Sequence, residues 1–146
     1  MDNIKLWITG AVGAVGAAIS TAFGGWTSAM TTLLIFMSID YLTGIMVAGI
    51  FKRSRKTENG ALESRAGFKG LCRKGMMLLI VLVACRLDIE LHTTYIRDAV
   101  CIAFIVNETI SITENAGLMG IPIPAPITRS IELLRNKEKS DGSQRN

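Results

Sequence analysis

Hydrophobic positions dominate the first third of the chain. From Leu6 to Ile39 there are 34 consecutive residues without a charged side chain. One membrane-spanning helix needs about 20 apolar residues, so the run is too long for one upright span and predicts two. Gly24-Gly25 is the expected divide, because adjacent glycines punctuate a helix. Trp7 and Trp26 lie 19 residues apart, about 28 Å along a helix at ~1.5 Å per residue, which suits anchoring at both membrane–water interfaces. Spans over about 6–23 and 27–51 follow. A secretory signal is the alternative for the N-terminus, but Asp2 offsets Lys5 and no basic cluster leads the run.

Further along, the pattern weakens. Gly75 to Cys85 is uncharged for only 11 residues before Arg86, Asp88 and Glu90. A run of that length marks a short third span, about 75–91, or a re-entrant segment. The fourth segment, about 95–115, alternates in kind around the helix. With Asn107 at zero, Asn107, Glu108, Ser111, Glu114 and Asn115 share an arc of about 120° at ~100° per residue, opposite Ile102, Ile105, Val106 and Ile110. Pro122, Pro124 and Pro126 then favour an extended stretch, with a short amphipathic helix at about 127–134 and a polar tail, 135–146, expected to be disordered. The predicted architecture is an all-α membrane protein in one domain, 1–134. It is a bundle of four helices, or three, with a basic cytoplasmic loop and a Pro-rich stretch before a short C-terminal helix.

Composition supports this class. Hydrophobic residues make up 49% of the chain and charged residues 19%, where a soluble domain carries nearer a quarter charged. Charge distribution sets the topology. Of 16 Lys and Arg, eight fall between Lys52 and Lys74, against only Glu58 and Glu63. Short loops rich in Lys52, Arg53, Arg55, Lys56, Lys69, Arg73 and Lys74 stay on the cytoplasmic side. Four spans then put both termini inside; a shallow hairpin of the last two segments leaves the termini in place. The loop has only Phe68 as an interleaved aromatic, so nucleic acid is not an expected partner.

Three positions carry chemistry. Asp40 sits near the middle of the second span and opposes insertion by about 2.5–3.5 kcal/mol, while ten Leu, Ile, Val and Phe residues between Met30 and Phe51 favour it by about 3–6 kcal/mol in sum. That span inserts, but its carboxylate needs a partner or water. The polar arc containing Glu108 likewise must meet other helices or line water, and intramembrane ionisable groups are functional candidates. It admits two readings: Asp40, Asn107, Glu108, Ser111, Glu114 and Asn115 line or gate a lumen, or Glu108 is structural, pairing with Arg86 or Arg97 or remaining protonated. Small residues recur every four positions as Gly10, Ala14, Ala18 and Gly13, Ala17; they suit close helix packing, as does Gly44, either between copies of the chain or against the second span. Cys72, Cys85, Cys101 and His92 form neither a disulfide framework nor a metal site, and they lack the placed partners of a nucleophilic enzyme. No cofactor and no enzymatic activity are expected.

Three blocks carry a resemblance. They are Ile39-Asp40-Tyr41-Leu42-Thr43-Gly44; Ser64-Arg65-Ala66-Gly67-Phe68-Lys69-Gly70-Leu71 with Arg73-Lys74; and Asn107-Glu108, Ser111-Ile112, Glu114-Asn115-Ala116 with Gly120-Ile121-Pro122-Ile123-Pro124. In this order and spacing, over about Leu33 to Leu134, the chain resembles the phage-lysis and toxin-secretion holins of clostridial type. Ala125-Pro126 departs from the family pattern at the start of the C-terminal helix. The resemblance implies a non-enzymatic protein of the bacterial cytoplasmic membrane, surrounded by lipid and associating as a homo-oligomer. It implies timed lesions that release an endolysin or a toxin. A small ion or solute channel and a scaffold subunit of a membrane complex are the competing classes.

Overall fold

The computed structural model describes residues 2–61 and 63–143. Among them the architecture is wholly helical. Helix α1 is Asp2–Ala22 and α2 is Ser28–Met46, extended by a π-helical turn at Val47–Phe51; α3 is Ser64–Glu90, α4 is Ile96–Leu118 and α5 is Ala125–Ser143. The glycine divide falls where the pattern puts it. Gly24 and Gly25 have φ of +64° and +96°, a left-handed conformation that costs other residues a steric clash with their Cβ. Thr27 then starts α2, its Oγ1 accepting a hydrogen bond from the Met30 amide at 3.3 Å, which satisfies one of the donors a helix start leaves open.

The core is a three-helix unit. α4 packs against both α2 and α3, with α2 and α4 running the same way, α3 returning against them, and α4 in the middle. Its apolar part joins Met30, Leu33 and Met37 of α2, Met77, Val81 and Cys85 of α3, and Cys101 of α4. On α2 the buried positions Met30, Leu33, Met37, Asp40 and Val47 follow the alternating three–four spacing of a helix seam. On α4, Cys101, Glu108 and Asn115 are 0%, 3% and 7% exposed and lie two turns apart on one stripe.

Two helices among the described residues, Asn3–Ala22 and Ser28–Phe51, are long and apolar enough to cross a membrane. The other expected spans are α3 and α4, whose buried polar groups Asp88, Glu108 and Asn115 point into the unit. Outward α3 presents Leu79, Ile80 and Val83, a surface suited to lipid.

Several boundaries differ from the pattern. α3 begins at Ser64, eleven residues before the expected 75, because its first turns are rich in basic residues and bury nothing before Met77 that would announce a helical face. α5 spans Ala125–Ser143, longer than 127–134, and takes in most of the stretch assigned to a disordered tail; Gln144–Asn146 lie outside the described residues. Between α4 and α5, residues 121–124 have no regular secondary structure. Pro126 belongs to the first turn of α5, where its missing N–H has no helical partner to lose.

Asp88, at the end of the expected third span, and Arg97 build the turn between α3 and α4. Asp88 is buried and accepts from Thr93 Oγ1 at 2.6 Å, the Ile96 amide at 3.1 Å and the Arg97 amide at 2.9 Å. It caps the start of α4 from the preceding helix. Arg97 Nη1 donates to the carbonyls of Phe23 and Gly25 at 3.4 and 3.5 Å, tying the α1–α2 turn to α4. Replacing Asp88 by Ala leaves those amides open, at a cost of about 1–2 kcal/mol. The expected result is a thermal midpoint in detergent lower by about 2–8 °C, followed by circular dichroism at 222 nm.

Candidate functional site

Each helix of the three-helix unit brings one charged group to a common depth. α2 supplies Asp40, α3 supplies Lys74 and α4 supplies Glu108. Lys74 Nζ donates to Asp40 Oδ2 at 2.9 Å and to Glu108 Oε2. Asn115, two turns beyond Glu108, donates from Nδ2 to Asp40 Oδ1 at 3.2 Å and to Thr43 Oγ1 at 2.9 Å. Thr43 in turn donates to the Asp40 carbonyl at 3.1 Å. No fully buried side-chain nitrogen or oxygen among the described residues lacks a partner. A single ammonium thus bridges two carboxylates, and the buried cluster carries a formal charge of −1.

This arrangement corrects the expected pairing of Glu108. Its partner is Lys74, whereas Arg97 serves the α1–α2 turn and Arg86 is exposed. Lys74 was expected among the topology-setting residues of the loop. Of these, Lys52, Arg53, Arg55 and Lys56 do lie in the connection between α2 and α3, and Lys69 and Arg73 are exposed on α3. Lys74 alone turns inward. The signal was present in the spacing: Lys74, Met77, Val81, Ala84 and Asp88 step by three and four along α3, a single stripe with a charge at either end.

A cavity of 310 Å³ opens beside the cluster, between α2, α3, α4 and the basic connection. Asp40, Glu108 and Lys74 line its floor together with Ser111, while Asn107 and Glu114 line it from exposed positions. The six polar candidates are therefore not equivalent. Asp40, Glu108 and Asn115 are buried; Ser111 is half-buried; Asn107 and Glu114 face outward. Gly44 lies against this site, since a Cβ there would stand 3.9 Å from Asn115 Nδ2. Gly67 plays a similar part beneath Tyr41, whose hydroxyl would be 3.8 Å from its Cβ.

The packing face of α1 is elsewhere. Every residue from Asn3 to Ile19 is exposed, and a Cβ at Gly10 or Gly13 would meet nothing within 4 Å. Gly10, Gly13, Ala14, Ala17 and Ala18 therefore do not pack against the second span within one chain. Only the end of α1 approaches it, where Ile19 and Phe23 border a small apolar cavity of 100 Å³ with Trp26, Leu33 and Val81.

Comparison with known proteins defines the class. Residues 17–136 match the model of the bacteriophage holin family, and the chain belongs to that family. It is 32% identical over 114 residues to a protein of Bacillus phage phi105 named a probable holin, covering 77% of this chain and 76% of that one. Bacterial relatives are as similar: an uncharacterised 14.9 kDa protein of Clostridium perfringens is 33% identical over 94% of this chain and 100% of its own length. An uncharacterised protein of Halalkalibacterium halodurans is 34% identical over 94% of this chain and 98% of its own. No solved structure matches. Holins are in general not enzymes; they are membrane proteins of phage lysis that work with an endolysin.

Removing one partner of a buried ion cluster strands the others. Lys74→Met leaves two carboxylates facing each other and is expected to cost about 3–5 kcal/mol. The triple variant Asp40→Asn/Lys74→Met/Glu108→Gln, which removes every charge, recovers most of that loss. Thermal unfolding of the purified chains in detergent compares the two directly.

Proposed function

We infer that the chain is a holin that accumulates in the bacterial cytoplasmic membrane, oligomerises and opens timed lesions through which an endolysin, or a toxin, leaves the cytoplasm. The observation that carries this reading is the cluster of Asp40, Lys74 and Glu108 beside a cavity lined also by Ser111, Asn107 and Glu114. In the single chain the cluster keeps its carboxylates paired away from lipid. In an assembly the cavity side of α4, with Asn107, Ser111 and Glu114, faces a water-filled lumen, where polar groups cost nothing to expose. Opening then exchanges the Lys74 bridge for hydration. The change of partner at Asp40 and Glu108 is the gating event, and subunit contacts along the small-residue face of α1 bring the copies together. Four spans, with the basic connection inside, set both termini in the cytoplasm.

Inducible expression with and without a cytoplasmic muralytic enzyme, following membrane potential and turbidity together, tests the whole reading. Abrupt depolarisation after a delay, with lysis only in the presence of the enzyme, is expected. Prompt graded depolarisation without enzyme release indicates a small channel instead, and no effect despite insertion indicates a scaffold subunit.

Glu108→Gln is expected to shift the onset of lysis by weakening one arm of the Lys74 bridge; unchanged timing and extent leave Glu108 a purely structural residue. Gly10→Leu/Gly13→Leu is expected to reduce the cross-linked oligomer while sparing the circular dichroism of the monomer, because no neighbour stands near either position. An undiminished cross-linking ladder removes α1 from the subunit contact.

A further inference from the structure

The connection between α2 and α3 is a built element, held on its own hydrogen bonds. Lys52 ends the π-helical turn with φ of +50°, and the Ser54 amide donates to the Gly60 carbonyl at 3.0 Å. Thr57 Oγ1 donates to the Ala61 carbonyl at 2.9 Å. Gly60, at φ +68°, lies so close under the Lys52 carbonyl that a Cβ would collide with it. The folded connection carries Lys52, Arg53, Arg55 and Lys56. Arg53 Nη1 donates to the Leu118 carbonyl at 3.4 Å, and Lys56 shares a cavity with Ala66, Gly67 and Gly70 of α3. Along the first turns of α3, Arg65, Lys69 and Arg73 follow one another one turn apart. All seven are exposed, and only Glu58 and Glu63 oppose them, a net charge of +5 over residues 52–73. Among the described residues, Arg65 and Lys69 make no ion pair. Phe68 and Leu71, on the same stretch of α3, are 68% and 54% exposed.

Basic side chains and large apolar ones thus share the outside of one helical segment at the cytoplasmic end of the unit. A second copy would bring like charge against like, and nucleic acid finds neither stacking aromatics nor a surface clear of the membrane. We propose that this collar is a binding site for anionic phospholipid: Arg65, Lys69 and the connection hold phosphodiester headgroups while Phe68 and Leu71 enter the acyl region beneath them. Long basic stems reach up from apolar depth to the headgroup level, and each Lys or Arg near an anionic surface strengthens attraction about five-fold. The site rests on the membrane reading above, with the basic connection on the cytoplasmic side.

The test uses the full chain reconstituted in phosphatidylcholine vesicles containing spin-labelled phosphatidylglycerol or spin-labelled phosphatidylcholine. Electron paramagnetic resonance measures the fraction of each lipid immobilised by the protein. Phosphatidylglycerol is expected to be retained several-fold over phosphatidylcholine, with the preference largely lost in 1 M salt, where screening acts within about 3 Å. Arg65→Gln/Lys69→Gln is expected to lower the preference markedly, and Arg86→Gln, at the other end of α3, to preserve it. Equal immobilisation of the two lipids, or a preference untouched by the double substitution, overturns the proposal while leaving the membrane reading standing. Absence of any immobilised lipid in either vesicle overturns the membrane reading itself.

Discussion

One ammonium between two carboxylates organises this molecule. Helices in a bilayer gain little from burying apolar side chains against each other, since lipid tails are just as apolar. What holds α2, α3 and α4 together must be close packing and polar contacts that lipid cannot replace. Lys74 supplies these to both neighbours at once, and Asn115 adds a second link between α4 and α2. Buried ion pairs are weak sources of stability when compared with a well-packed apolar core. Their value here is specificity. A rotation of any of the three helices would strand a charge, so the register of the unit is fixed by the penalty for every alternative.

The same cluster is unevenly balanced. Two acids and one base give it a formal charge of −1 next to a cavity that the half-buried Ser111 also lines. α1 contributes nothing to it. That helix stands apart from the unit, joined through the glycine turn and through Arg97, and it offers an uncovered face of small side chains. The charged cluster and the small-residue face thus lie on different helices.

How much of this was readable from the residues depends on how each signal competes with its neighbours. The first two helices were legible almost to the residue, because a long uncharged run, paired tryptophans and adjacent glycines all report the same boundaries. Asp40, Glu108 and Asn115 stood out as polar groups on helices that should be apolar. Lys74 did not, because it ends a basic stretch, and a lysine beside a loop reads as a topology signal; only the heptad-like stripe through Val81 and Asp88 distinguishes it. The early start of α3 was hidden for a related reason: it buries no residue before Met77, so no core face imposes a helical period on its first turns. The capping role of Asp88 was not legible because its partners are mainly backbone amides, which sequence patterns do not display.

Asp40, Lys74 and Glu108 follow one another at equal intervals of 34 residues, and this spacing bears on how the chain is made. Synthesis delivers the acid of α2 long before the base that neutralises it, and the second acid last of all. α2 carries enough Leu, Ile, Val and Phe to enter the bilayer while still unpaired, so it can wait. α3 and α4 have no such surplus. The cluster therefore closes only when α4, the last of its three helices, has been made, and a chain cut before residue 108 leaves Lys74 with a single carboxylate.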